Sequence, residues 1–175
     1  MDGEIHFEGE NLLAKSAREM RRIRGKRIAM ILQDPMASLN PLFTIGDQVG
    51  EPLRVHHGVT RKAVRSQVET LLKSVRIPAP EQRAREYPHQ MSGGMRQRIV
   101  GAIAISCGPR LLVADEPTTS LDLTIQAQYL NLLRGLQRQN GLALIFITHN
   151  LGIVAKMCDR VAVMYAGRIV EAGPV

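Results

Sequence analysis

The chain has 175 residues, of which 45% are hydrophobic and 22% charged, so a single globular domain with a buried core is expected. No apolar run approaches the roughly 20 residues that a membrane-spanning helix requires. The two cysteines, Cys107 and Cys158, stand in no metal-binding spacing and favour a reduced compartment.

The formal net charge is +7, and seven of the 23 basic residues fall between Lys15 and Arg27. Such a segment suits nucleic acid, but it more often forms a solvated face. Because aromatic residues make up only 3% of the chain, few side chains could stack on bases. We therefore expect no nucleic-acid partner.

The first part of the chain predicts two strands separated by a basic segment. Residues Glu4 to Phe7 read as a short strand, and Ala14 to Arg24 as a basic helix or turn. Residues Arg27 to Leu32 form a mostly apolar run that is typical of a buried strand. Gln33-Asp34-Pro35 ends this run, because proline and its neighbours interrupt regular structure.

The stretch from about Pro35 to Ser106 contains no strand pattern. Thr60 is positioned to cap a helix in which Val64 and later apolar residues recur at helical spacing. Pro78 and Pro80 end that helix, and Met95 to Ser106 predicts a second one. This stretch therefore reads as a helical insertion.

The last part of the chain alternates strands and helices. The predicted elements are a strand at Leu111–Ala114, a helix at Leu121–Gln139, a strand at Leu142–Thr148, a helix at Leu151–Met157, and a hairpin of Val161–Tyr165 with Arg168–Val170. Such alternation predicts an α/β core with a parallel sheet. We expect residues 1–33 and 108–175 to form this core and residues 34–107 to form the helical insertion.

Two acids follow the strand at Leu111–Ala114. Asp115 and Glu116 would lie at the carboxyl edge of the sheet, where open α/β sheets bind ligands. One carboxylate can hold Mg²⁺ through water, and the other can orient or deprotonate an attacking water. Apolar strands also end in acids for solubility alone. His149, just past the next strand, can reach the same ligand.

A second pattern, Ser92-Gly93-Gly94, precedes the predicted helix at Met95. Glycines at a helix start let backbone N–H groups point at an anion, and the helix dipole adds positive potential. Gln33 stands where a strand gives way to the insertion, so it could contact both a metal ion and water and report on them to the insertion.

The order of these motifs resembles that of the ABC ATPase family. The matching motifs are Gln33 (Q-loop), Ser92-Gly93-Gly94 (signature), Asp115-Glu116 (Walker B), Ser120-Leu121-Asp122 (D-loop) and His149 (H-loop). The residues in and around these motifs are similar to those of the peptide and nickel importer branch, notably in the segments 33–41, 91–98, 115–122, 124–128 and 165–168. Met91 and Met95 depart from the usual Leu-Ser-Gly-Gly-Gln signature in a way that this branch tolerates.

This resemblance implies a P-loop NTPase-like fold and the cofactors ATP and Mg²⁺. By this resemblance, Asp115 binds Mg²⁺ through water, Glu116 is the catalytic base, and His149 contacts the γ-phosphate. It also implies that Gln33 senses metal and water. The resemblance further implies that Ser92, Gly93, Gly94 and Met95 hold the ATP of an opposite subunit and that Asp122 lies at the dimer interface.

The phosphate-binding P-loop motif does not occur in the sequence. It requires Gly, four residues, then Gly-Lys-Ser or Gly-Lys-Thr. Here the only Gly-Lys is Gly25-Lys26, with Arg27 after it and Met20 in place of the first glycine. The resemblance implies that the first strand, the P-loop and the first helix would precede Met1, and that the chain is a fragment. We expect the chain alone to bind ATP weakly and not to hydrolyse it.

The resemblance thus implies an ATP-hydrolysing subunit of an importer of peptides or nickel, peripheral to the cytoplasmic face of the membrane. Its expected partners are a second ATPase subunit, membrane permease subunits and, indirectly, a solute-binding protein. The alternative is a non-catalytic partner that supplies the signature motif to an intact ATPase.

Overall fold

The computed structural model describes residues 3–119 and 121–175, with only the backbone of Met36. The first described elements are two short paired strands, a helix and a third strand: β1 (His6–Phe7), β2 (Glu10–Asn11), α1 (Ala17–Ile23) and β3 (Ile28–Ile31). The strand predicted at Glu4–Phe7 is therefore shorter, and it pairs antiparallel with β2.

Helices alone fill the described chain between β3 and the next strand. They are α2 (Pro35–Ser38), α3 (Ile45–His57), α4 (Arg61–Ser74), α5 (Pro80–Arg83) and α6 (Gly93–Ile105), with a 3₁₀ turn at Pro88–Gln90. The predicted helical insertion is thus observed. Thr60 does occupy the N-cap of α4, but its side chain makes no capping hydrogen bond.

The remaining elements alternate between strand and helix, as predicted. They are β4 (Leu111–Asp115), α7 (Leu123–Asn140), β5 (Ala143–Ile147), α8 (Leu151–Met157), β6 (Arg160–Tyr165) and β7 (Arg168–Pro174). β3, β4 and β5 form a parallel sheet in that order, while β6 and β7 form an antiparallel hairpin. The predicted α/β fold with a parallel core sheet is confirmed.

The two faces of the parallel sheet differ in burial. Ile31 and Leu112 are among the residues of the packed face, and they join the side chains of α6 and α7 in one buried core. On the opposite face Met30, Ile145 and Ile147 are 46–50% exposed. The sheet is therefore covered by helices on one side and open on the other.

The C-terminal hairpin is also largely exposed. Met164, Tyr165, Ile169 and Val170 are all at least 62% exposed.

No helix among the described residues is long and apolar enough to cross a bilayer.

Candidate functional site

The parallel register brings the loops that follow β3, β4 and β5 to one edge of the sheet. Ile31 of β3 pairs with Ala114 of β4, and Asp115 pairs with Ile147 of β5. The carboxyl ends of the strands therefore lie side by side. Because Gln33 and His149 each follow their strand by two residues, both stand at the edge where β4 ends.

Glu116 is held at this edge by both its backbone and its side chain. Its backbone lies in the left-handed region with φ at 46°, and its N–H donates to the carbonyl of Ile147 at 3.0 Å. Carboxylate oxygen Oε1 lies 2.6 Å from Nδ1 of His149 and accepts from the His149 backbone N–H at 3.2 Å. The predicted pair of Glu116 and His149 is thus in direct contact.

The second carboxylate oxygen of Glu116 has a partner that the sequence did not indicate. The hydroxyl of Thr119 donates to Oε2 of Glu116 at 2.5 Å. This hydrogen bond, followed by the bonds from His149, holds the pKa of Glu116 below its ordinary value. Glu116 is therefore ionised at neutral pH, and Nδ1 of His149 must carry the proton that it shares with the carboxylate.

The side chain of Asp115 differs from that of its neighbour. It is half-buried at the end of β4, and it forms no hydrogen bond or ion pair within the described part of the chain. The described residues also contain no cluster of three or more His, Cys, Asp or Glu side chains that could hold a metal ion. A free carboxylate of this kind suits Mg²⁺ that keeps most of its waters and takes one protein ligand.

Gln33 is exposed in the bend between β3 and α2. Neither Glu116 nor Asp115 is hydrogen-bonded to it in the described structure. The fold places Gln33 at the same sheet edge, and its predicted role as a sensor of metal and water stays a prediction.

The predicted signature residues lie at the start of α6, with Ser92 as its N-cap and Gly93, Gly94 and Met95 in its first turn. The helix was predicted to start at Met95, but it starts at Gly93, because the hydroxyl of Ser92 caps it by accepting from the N–H of Met95 at 3.3 Å. The N–H groups of Gly93 and Gly94 have no partner within a helix at these positions. This end of α6 therefore offers free donors and the positive end of a 13-residue helix.

Gly94 also sets the distance between α6 and α7. A Cβ atom at this position would lie 2.9 Å from Cγ2 of Ile125, whereas one at Gly93 would meet nothing within 4 Å. Further along the same contact, Arg98 donates to the side chain of Gln128 at 3.0 Å. The helix that carries the signature thus packs closely on the helix that follows the Walker B strand.

Asp122 has a local structural role that its motif assignment did not include. Its carboxylate caps α7 by accepting from the N–H groups of Thr124 and Ile125 at 3.0 and 2.9 Å. The helix consequently begins at Leu123, two residues later than predicted. Ser120, the first residue of the predicted D-loop, lies outside the described residues.

Comparison with known proteins identifies the family of this chain. The profile of the ABC transporter family matches residues 1–119. The dipeptide transport ATP-binding protein DppD of Bacillus subtilis is 55% identical over 172 residues, which are 98% of this chain and 51% of that protein. The oligopeptide transport ATP-binding protein OppD of the same organism is 54% identical over 173 residues, 99% of this chain and 48% of that protein.

A solved structure has the same fold. The ATP-binding cassette MJ0796, determined as a dimer in a post-hydrolysis state with ADP and Pi, superposes with a TM-score of 0.86 at 25% identity. The match covers 99% of this chain and 73% of that one. The chain belongs to the ABC transporter family, and it spans about half the length of the curated relatives that it matches.

Proposed function

We propose that the chain forms the Walker B, signature and H-loop part of an ATP-hydrolysing subunit. The observation that carries this proposal is the position of the Glu116 carboxylate, fixed at the carboxyl edge of the sheet by Thr119 and His149. In the reaction, water attacks the γ-phosphate of ATP in line with the departing ADP. Glu116 acts on that water.

An ionised Glu116 can accept a hydrogen bond from the attacking water and then its proton. Its depressed pKa makes it a weak base, so its main contribution is to orient the water rather than to deprotonate it early. His149 holds the carboxylate through Nδ1, and because its ring is exposed, Nε2 is accessible to a bound nucleotide. Gln33, at the same edge, would contact the metal ion and the water when they are bound.

The nucleotide would be held by two groups of residues. Asp115 would hold Mg²⁺ through water, and the ion supplies charge stabilisation to the phosphates when it is bound. Ser92, Gly93, Gly94 and Met95 would face the γ-phosphate of an ATP carried by a second subunit, with Asp122 at the seam. The MJ0796 cassette was solved as a dimer, which supports this arrangement. We infer the same division into core (1–33, 108–175) and insertion (34–107).

A groove in the insertion is a suitable surface for the membrane partner. It has a volume of about 370 Å³ between α3, α4 and α5, with Val64 and Val68 among its apolar lining residues. Four arginines also line it, at positions 54, 61, 65 and 85, against two acids, Asp47 and Glu81, so the lining carries a net positive charge. The groove suits a short helix with an apolar face and acidic residues. Relatives named for oligopeptide and dipeptide transport make peptides the substrate class that we propose.

A chimera tests the proposal. This chain replaces its matching segment in the B. subtilis OppD protein, which keeps its own remaining sequence. We expect the chimera to hydrolyse ATP, and Glu116→Gln to lower the rate by about 10²–10⁴ while nucleotide binding persists. A folded chimera whose hydrolysis is unaffected by Glu116→Gln contradicts the assignment of the base.

The alternative is a partner that only completes a neighbouring subunit's site. The contact between Glu116 and His149 favours a catalytic chain, because a pure partner needs neither residue. Mixing the 175-residue chain with intact OppD separates the two proposals. Stimulation of ATPase activity that Ser92→Arg abolishes and Glu116→Gln leaves intact supports the alternative.

A further inference from the structure

A basic face lies on α1, on an element that contributes nothing to the candidate site. Arg18, Arg21 and Arg22 are exposed, and helical spacing places them on the side of α1 away from Ile23, which is buried. Arg24 and Lys26 follow the helix and are exposed as well. We call these five residues the α1 basic face.

Nothing in the described chain neutralises this face by an ion pair. None of its five residues takes part in a salt bridge. The one acidic residue of α1, Glu19, accepts hydrogen bonds from the backbone N–H and hydroxyl of Ser16 in a capping box, and it attracts Arg22 without forming an ion pair with it. Like charges at helical spacing oppose each other. The helix dipole stabilises the positive charges of Arg21 and Arg22 at the C-terminus of α1. It does not stabilise the charge of Arg18, which lies near the N-terminus.

The α1 basic face adjoins the helix that borders the insertion groove. The ammonium of Lys26 donates to the carbonyl of His56 at 3.4 Å. Gly25 also lies against the ring of His56, so close that a Cβ would stand 3.0 Å from Nε2. His56 belongs to α3, whose Arg54 lines the groove proposed for the membrane partner. The basic face and that groove are therefore neighbours along α3.

We propose that the α1 basic face binds the anionic surface of a lipid bilayer. The proposal rests on the proposed function, because a subunit whose groove holds a membrane partner brings α1 beside the bilayer. The segment from Lys15 to Arg27 contains no aromatic residue, so it offers no stacking platform for nucleic-acid bases. Leu13, just before α1, is 49% exposed and can enter the headgroup layer.

Sedimentation with vesicles tests the proposal on the full 175-residue chain. We expect binding to phosphatidylcholine vesicles that contain about one-third phosphatidylglycerol, weak binding to pure phosphatidylcholine, and loss of binding in high salt. Each basic residue near an anionic surface contributes about fivefold in affinity. The double variant Arg21→Glu with Arg22→Glu should therefore bind at least about tenfold more weakly.

A matched variant controls for net charge. Arg134→Glu with Arg138→Glu makes the same change on exposed positions of α7, and it should bind like the unaltered chain. Circular dichroism confirms that both variants fold. Equal loss in the two variants, or equal binding to both vesicle types, overturns the proposal. So does single-stranded RNA that displaces the chain from vesicles and requires the same two arginines.

This assay contains no nucleotide and no membrane protein, whereas the chimera measures hydrolysis in the absence of a bilayer. Retained hydrolysis with no vesicle binding therefore refutes only the lipid contact. Vesicle binding that depends on Arg21 and Arg22, together with an inactive chimera, refutes only the proposed catalysis.

Discussion

Nδ1 of His149 and Oε1 of Glu116 lie 2.6 Å apart, although 33 residues of sequence separate them. The contact exists because β4 and β5 are parallel neighbours whose carboxyl ends stop at the same level. Thr119, three residues after Glu116, holds the other carboxylate oxygen. The two oxygens of the carboxylate are thus hydrogen-bonded on opposite sides, one by Thr119 of the same loop and the other by His149, which follows β5.

Thr119→Val removes the hydroxyl that contributes most to the lowered pKa of Glu116. A carboxylate with a depressed folded-state pKa stabilises the fold above the pH at which the unfolded chain titrates, about 4.3, and loses that effect as pH falls through the folded-state pKa. We expect the variant to lose about 1 kcal/mol at pH 7 and less than that at pH 3, because the effect declines as the pH falls below the unfolded-state pKa. Urea unfolding at both pH values measures the difference.

Thr119→Ser keeps the hydroxyl and serves as the matched control. It should stay within about 0.5 kcal/mol of the unaltered chain at pH 7. A loss in Thr119→Val that is as large at pH 3 as at pH 7 would show that the methyl packing, and not the hydrogen bond, matters.

Gly94→Ala introduces a methyl group 2.9 Å from Cγ2 of Ile125, so the Ile125 side chain or the two helices must shift. Overpacking of this kind costs about 1–3 kcal/mol. Gly93→Ala places the same methyl in open space and should be neutral or slightly stabilising, since alanine is the better helix former. The two free energies of unfolding, measured side by side, check this; equal values for the two variants would contradict the steric argument.

Tyr129 is 1% exposed, and its hydroxyl has no hydrogen-bond partner among the described residues. Gln97, also fully buried, leaves both polar atoms of its amide unpaired there. Removing an unpaired buried hydroxyl relieves a desolvation cost. We expect Tyr129→Phe to leave the free energy of unfolding unchanged or to raise it by up to about 1 kcal/mol. A clear loss would mean that the hydroxyl bonds the Gln97 amide, either directly or through a buried water.

Ile145 lies on the open sheet face and is 50% exposed. Exposed apolar strands at a sheet edge favour association between chains. Ile145→Lys should therefore reduce concentration-dependent light scattering without lowering stability. Leu144→Lys provides the contrast, since Leu144 packs against the core and a charge there should unfold the chain. Unchanged scattering by Ile145→Lys would assign the association to another surface.

The sheet was predictable because each of its strands is a short apolar run with polar residues after it. Those same boundaries predicted that Glu116 and His149 would lie at one edge of the sheet, within reach of the same ligand; the direct contact between them was not predicted. Helix starts were harder to predict. Asp122 and Ser92 each cap a helix with their own side chains, and capping residues do not stand out in a hydrophobic pattern.

Two features could not be predicted for physical reasons. α3 contains Gly46, Gly50 and Pro52, which read as loop signals, yet tertiary packing keeps it helical, with Val49 and Leu53 buried. The bond from Thr119 to Glu116 depends on the path of the turn after β4, and a single threonine in a sequence carries no sign of such a path.

Glu116 occupies a backbone region, φ 46°, that glycine or asparagine would enter at lower cost. The loop is therefore conformationally strained at the residue proposed to act on the attacking water. Glycine at this position would relieve the backbone strain, but it would remove the bonds from Thr119 and His149 and the proposed catalytic carboxylate at the same time. Those bonds therefore hold a residue with a proposed function in a conformation that its backbone disfavours.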